Sequence, residues 1–80
     1  MKQDVTMPRL NAKMQAGVLA HWCKEPGETV AAGETLCEIE ADKVVTEVAA
    51  PCAGTVTALY GEEGDEVAVG AVIATVEDGR

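Results

Sequence analysis

The sequence predicts an all-β domain, a flattened barrel or sandwich whose two halves are related by a pseudo-twofold. Three observations predict it. They are a gapless internal repeat, apolar runs of strand length divided by turn residues, and an apolar inventory nearly free of aromatics. The 80 residues suffice for one domain, 1–80. A chain this short buries a thin core and leaves little room for a deep catalytic cleft. One Trp, one Tyr and no Phe leave the packing to Ala, Val, Leu and Ile, which suits short strands and tight turns.

The repeat is the strongest signal. Residues 17–40 read GVLAHWCKEPGETVAAGETLCEIE and residues 54–77 read GTVTALYGEEGDEVAVGAVIATVE, an offset of 37 positions. The identities are Gly17/Gly54, Glu25/Glu62, Gly27/Gly64, Val30/Val67, Ala31/Ala68, Gly33/Gly70 and Glu40/Glu77. A series of glycines kept in step is not a chance alignment. Glu25-Pro26-Gly27 and Glu63-Gly64-Asp65 are turn signals, and Gly33 and Gly70 begin further turns. Val- and Thr-bearing runs between them have the length of strands. The nearest helix candidate, 10–22, contains Gly17 and lacks a sustained apolar stripe.

Alternation departs from period two in an orderly way. Leu19 and Trp22, Val56 and Leu59, Leu36 and Ile39, and Ile73 and Val76 are each three apart. Strict pleating sends such pairs to opposite faces, so either bulges bend the strands or both faces are partly covered. Two packed sheets satisfy either condition.

Charge narrows the function classes. Fourteen acidic against six basic residues give a net charge of −8, which repels nucleic-acid backbones and anionic membranes. Such a surface is compatible with docking on a basic protein, but simple solvation is the favoured reading. Cys23, Cys37 and Cys52 are odd in number and form no C-x-x-C pair. They read as reduced thiols of a reducing compartment, small buried hydrophobes rather than zinc ligands with His21. Neither a membrane-length apolar run nor a signal or transit pattern is present, so the expected location is the bacterial cytoplasm or an organelle matrix such as the mitochondrial one. Trp22 reads as core, and Lys13 and Lys24 as solvated charges. No Ser-His-Asp, phosphate-cradling or paired-carboxylate arrangement has usable spacing.

Residues 37–48 read CEIEADKVVTEV, two strands joined at Asp42-Lys43. Asp favours turns because its side chain bonds the local backbone. The repeat offset maps Lys43 onto Arg80 and Thr6, so a pseudo-twofold makes its turn the counterpart of the chain ends. A lysine on a turn is ordinarily a solvated charge. Glu40-Ala41-Asp42-Lys43-Val44, however, is similar to the E-T-D-K-A/V stretch of the lipoyl domains of 2-oxo acid dehydrogenase complexes. The resemblance extends over almost the whole chain. Met7-Pro8-Arg9-Leu10 with Met14-Gln15-Ala16-Gly17 resembles that family's first strand region. Gly27 and Gly54 stand where the family has its turn glycines, and Ala50-Pro51 where it has a small residue and a proline. Two departures are Ala41 in place of Thr or Ser, and Asn11 where Gly is common.

The resemblance implies two four-stranded sheets and a lipoyl group in amide linkage to Lys43. Asp42, Ala41 and Val44 would form the recognition turn, with Gly27 and Gly54 as structural turns. It implies a carrier without an active site of its own. The arm would be reductively acylated at a decarboxylase (E1), pass its acyl group to coenzyme A, and be reoxidised at dihydrolipoyl dehydrogenase (E3). A lipoate ligase or lipoyl transferase would load it. The chain would be a monomeric N-terminal piece of a dihydrolipoamide acyltransferase (E2), and Met-Pro-x-Leu leans toward pyruvate or acetoin types. One alternative is a biotinyl carrier, whose lysine is flanked by Met on both sides where this chain has Asp42 and Val44. Another is an unmodified interaction module.

Overall fold

The computed structural model describes residues 1–78. It is all-β, with eight strands: β1 (Lys2–Thr6), β2 (Ala16–Trp22), β3 (Thr29–Val30), β4 (Thr35–Ala41), β5 (Val44–Ala49), β6 (Gly54–Leu59), β7 (Glu66–Ala68) and β8 (Val72–Glu77). They form two antiparallel four-stranded sheets in the orders β1-β8-β6-β3 and β5-β4-β2-β7. Neither sheet closes on itself, so the architecture is the sandwich rather than the barrel. The strands of 10–22 begin at Ala16, and no helix occurs among the described residues.

The repeat is the symmetry of the fold. Adding 37 carries β2 toward β6, β3 toward β7 and β4 onto β8, which places equivalent strands in equivalent positions of opposite sheets. The outer strands β1 and β5 complete the correspondence. Lys2↔Glu77 matches Val45↔Glu40, Asp4↔Thr75 matches Glu47↔Glu38, and Val5↔Ala74 matches Val48↔Cys37.

Bulges explain the three-residue spacing. The register shifts between Leu19 and His21 and again between Val56 and Ala58, so Ala20 and Thr57 are the extra residues, 37 apart. It shifts also between Thr35 and Cys37, and across Ile73 where Thr6↔Val72 follows Val5↔Ala74. Leu36 and Ile73 are again 37 apart. An extra residue turns a three-residue spacing into a same-face pair, and Leu36 with Ile39, and Ile73 with Val76, are accordingly buried together. The core is aliphatic and sulfur-bearing. Met7, Leu19, Leu36, Ile39, Ile73, Val56, Val76 and Cys37 are its largest fully buried side chains. Trp22 packs against this cluster at its edge and donates its indole N–H to the Gly61 carbonyl at 3.1 Å.

Three sequence expectations need correction. Gly54 is not a turn glycine but the first residue of β6, at an ordinary φ. It is required for space: a Cβ there would lie 2.0 Å from the Glu77 carbonyl oxygen. Cys23 is exposed rather than buried, although Cys37 is buried and Cys52 half-buried. Lys24 is not simply solvated, because its Nζ lies 2.9 Å from Glu34 Oε2. Gly27 is a turn glycine as expected, at φ +95° with open space where a Cβ would sit.

These two glycines generate a prediction. Gly54→Ala drives a Cβ into backbone that cannot yield without parting β6 from β8, and is expected to lose several kcal/mol, roughly 3 or more, or to prevent folding. Gly27→Ala meets nothing and bears the left-handed strain alone, about 1 kcal/mol. Denaturant unfolding of the two variants checks the difference.

Candidate functional site: the lysine turn

The site grows out of the β4–β5 ladder. Ile39↔Thr46, Glu40↔Val45 and Ala41↔Val44 pair in unbroken register up to Asp42-Lys43. Two residues must then reverse the chain, and the strand twist favours a turn with both in the left-handed region. Asp42 and Lys43 have φ of 50° and 65°. They are the non-glycine residues at positive φ among those described, and the sequence supplies no glycine to relieve either. Asp tolerates this conformation and lysine does so less readily. Such strain in a non-glycine residue is kept where the side chain itself matters.

Lys43 is exposed and makes no ion pair with any described residue. Ala41 is half-buried and packs against the core, which suits a small side chain, whereas Val44 is 59% exposed. The loop between β1 and β2 meets the turn. Asn11 Nδ2 donates to Asp42 Oδ2 at 3.3 Å, while Asn11 Oδ1 accepts the Lys13 N–H at 2.9 Å. Within that loop Arg9 donates to the Met14 carbonyl at 2.6 Å, and the Leu10 N–H donates to Met14 Sδ at 3.2 Å. Nothing in the spacing of Asn11, 31 residues from Asp42, announced the contact.

The position of the turn follows from the symmetry. The Met1/Asp78 pair, joined by Asp78 N–H to the Met1 carbonyl at 3.0 Å, takes the place that Val44/Ala41 takes in the other sheet. Arg80, the repeat counterpart of Lys43, lies outside the described residues. β1 runs roughly 16 Å from that pair to the loop that touches Asp42. Lys43 therefore stands at the far end of β1 from the Met1/Asp78 pair, in a molecule 37 Å along its longest axis.

Other reactive groups stay apart from the turn. Among the described residues no set of three or more His, Cys, Asp or Glu converges as for a metal ion, so His21, Cys23, Cys37 and Cys52 form no ligand cluster. Burial pushes the Cys37 thiol up to about 11. Partial loss of hydration, with the Glu38 and Glu47 carboxylates, raises that of the exposed Cys23. Both thiols are held protonated, the unreactive form. Glu63 Oε2 accepts the Trp22 N–H at 2.9 Å and faces His21 Nδ1 at 3.0 Å. That contact, first the backbone N–H and then His21, holds its carboxyl below the ordinary value and pins the start of the β2–β3 connection. No pocket opens among the described residues.

The geometry is thus an open two-residue turn presenting one lysine, at one end of a pseudo-symmetric sandwich. Residues 3–76 match the biotin/lipoyl family model, described as "biotin-requiring enzyme", and the chain belongs to that family. It is 44% identical over 75 residues to the dihydrolipoyllysine-residue acetyltransferase component of the pyruvate dehydrogenase complex of Corynebacterium glutamicum, covering 94% of this chain and 11% of the relative. The succinyltransferase component of the 2-oxoglutarate dehydrogenase complex of Cupriavidus necator is 42% identical over 74 residues, covering 92% and 18%. The chain thus spans between about a tenth and a fifth of the length of these relatives. The solution structure of the lipoyl domain of the 2-oxoglutarate dehydrogenase complex from Azotobacter vinelandii superposes with a TM-score of 0.75 at 32% identity, over 95% of this chain and 99% of that one. Urea carboxylase of Kluyveromyces lactis superposes at 0.82 with 23% identity, over 96% of this chain and 6% of that one, a likeness of fold alone.

The strained turn predicts a trade of stability against display. Lys43→Gly relieves the left-handed strain, partly offset by the greater freedom of glycine in the unfolded chain, and is expected to stabilise by about 0.5–1 kcal/mol. Lys43→Ala keeps the strain and is expected to shift stability by less than about 0.5 kcal/mol. Thermal unfolding of both variants distinguishes them.

Proposed function

We propose that this domain is a lipoyl carrier, with Lys43 as the residue amidated by lipoate. The observation that supports it most is the exposed Lys43, without an ion pair to any described residue, at the tip of a two-residue turn inside a sequence and fold shared with lipoyl domains. The residues fit the group. Amide formation needs an accessible Nζ without a competing ion pair, and a travelling arm needs a base with no pocket to capture it. When bound, lipoate supplies a dithiolane that carries acyl groups and reducing equivalents between decarboxylase, acyltransferase and dihydrolipoyl dehydrogenase sites of a 2-oxo acid dehydrogenase complex. The chain's own residues do the positioning. The β4–β5 ladder fixes the lysine backbone, Asp42 shapes the turn and is braced by Asn11, and Ala41 and Val44 form the flanks a loading enzyme reads. Tethering through the far end of the domain keeps the arm at high effective concentration near each partner.

On this reading the domain, monomeric in isolation, is part of an acyltransferase chain in the bacterial cytoplasm or mitochondrial matrix, loaded by a lipoate ligase or lipoyl transferase. Asp42 and Val44 beside Lys43, where biotinyl domains carry Met, support lipoate over biotin.

Incubation with ATP, lipoate and a lipoate ligase is expected to add one lipoyl increment to the peptide bearing Lys43, lost in Lys43→Ala. Intact mass and peptide mapping read it. A biotin increment from a biotin ligase run in parallel would transfer the chain to the biotinyl carriers. A folded chain labelled by neither enzyme would leave an unmodified interaction module.

A further inference from the structure

We propose that β5 is a docking edge, taking an extended segment of a protein partner that bears Lys or Arg as a fifth strand beside Lys43. The proposal concerns the strand and its outer face and does not depend on which group Lys43 carries.

The internal symmetry supplies the comparison that carries it. β1 and β5 are equivalent outer strands of the two sheets. In each, hydrogen-bonded and non-bonded pairs alternate along the ladder. The two-residue turn makes Ala41–Val44 and Ile39–Thr46 the bonded pairs, so the N–H and C=O groups of Val45 and Glu47 face away from β4. By the same rule, the Met1–Asp78 bond turns those of Lys2 and Asp4 away from β8. Exposed strand edges recruit other strands unless charged side chains guard them. β1 is guarded: Lys2 and Asp4 occupy the positions that Val45 and Glu47 occupy in β5. Lys2 also stands opposite Glu77 in the ladder, a cross-strand pair of opposite sign, and the Glu77 carboxylate is held by the Met1 ammonium at 2.6 Å.

The β5 side has lost that balance. Val45, 56% exposed, faces Glu40, and Glu47 lies directly across from Glu38. Like charges set opposite one another destabilise a sheet, and none of the three carboxylates has an ion pair with a described residue. The outer face beside Lys43 is thus an apolar spot, Val45, ringed by Glu38, Glu40 and Glu47, on an edge that keeps the acidic residue of β1 but lacks the charge that Lys2 supplies there. Strand addition satisfies the edge, and alternate basic side chains satisfy the carboxylates. A second copy of this chain would do the reverse. Each copy carries a net charge of −8, and pairing β5 with itself would double the three carboxylates along one seam. Lys43 immediately precedes β5, so an added strand would also hold a fixed register to the lysine.

The test uses the whole ¹⁵N-labelled domain and a blocked hexapeptide of alternating Arg and Val, with a Glu and Val hexapeptide as control. Amide exchange at Val45 and Glu47 is expected to slow about tenfold or more with the basic peptide, and not with the acidic one. Exchange at Lys2 and Asp4 should stay unchanged. Val45→Lys, which recreates the guard found in β1, and Glu47→Pro, which removes one outward N–H, should each abolish the effect. Unchanged exchange at Val45 and Glu47, equal slowing at both edges, or slowing in the free domain that grows with its own concentration would each overturn the proposal.

Discussion

The working end of this domain depends on one short-range constraint. Asp42 and Lys43 must reverse the chain between two strands whose register is fixed on either side. The fixing is done by Ile39 and Val48, which are buried in the core from opposite strands of the same hairpin. Because a one-residue slip of either strand would move its own buried residue to the solvent face, the hairpin admits one register, and that register leaves two residues for the turn. Positive φ at both follows from strand twist. The location and direction of the lysine are therefore consequences of core packing, and no specialised pocket is needed.

Symmetry explains how so small a chain achieves this. Two near-equivalent halves give two sheets with bulges at matching places, Ala20 with Thr57 and Leu36 with Ile73. The bulges let residues three apart share a face, so an aliphatic core with little aromatic volume still closes. The same symmetry sets the lysine turn against the Met1/Asp78 pair. Departures from it are then informative. Where β1 has Lys2 and Asp4, β5 has Val45 and Glu47, and the difference falls beside Lys43.

Much of this was legible in the sequence. The 37-residue repeat, the three-residue spacings that signal bulges, and the Asp42-Lys43 turn were all visible as local pattern, because period and turn chemistry are local properties. What was not legible depends on residues distant in sequence that meet in space. The need for Gly54 is set by the Glu77 carbonyl, not by its own dihedrals. Asn11 stood out as a departure from glycine, but its contact with Asp42 joins the β1–β2 loop to the β4–β5 turn, 31 residues on. Lys24 finds Glu34, and Cys23 is left exposed, through the path of the β2–β3 connection. Spacing rules say nothing of such meetings.

If the turn presents the lysine by position rather than mere exposure, exchanging its two residues should silence it. The measurement is the rate of lipoate attachment to the double variant Asp42→Lys/Lys43→Asp under a lipoate ligase, with folding verified by unfolding and amide spectra. The lysine stays exposed on the same two-residue turn but moves by one position and changes direction. The expected result is a folded domain whose displaced lysine is modified at least about a hundredfold more slowly, the scale of rate loss that small misplacement of a reacting group produces. Modification at the original rate would contradict it, and would mean that any lysine on this hairpin serves.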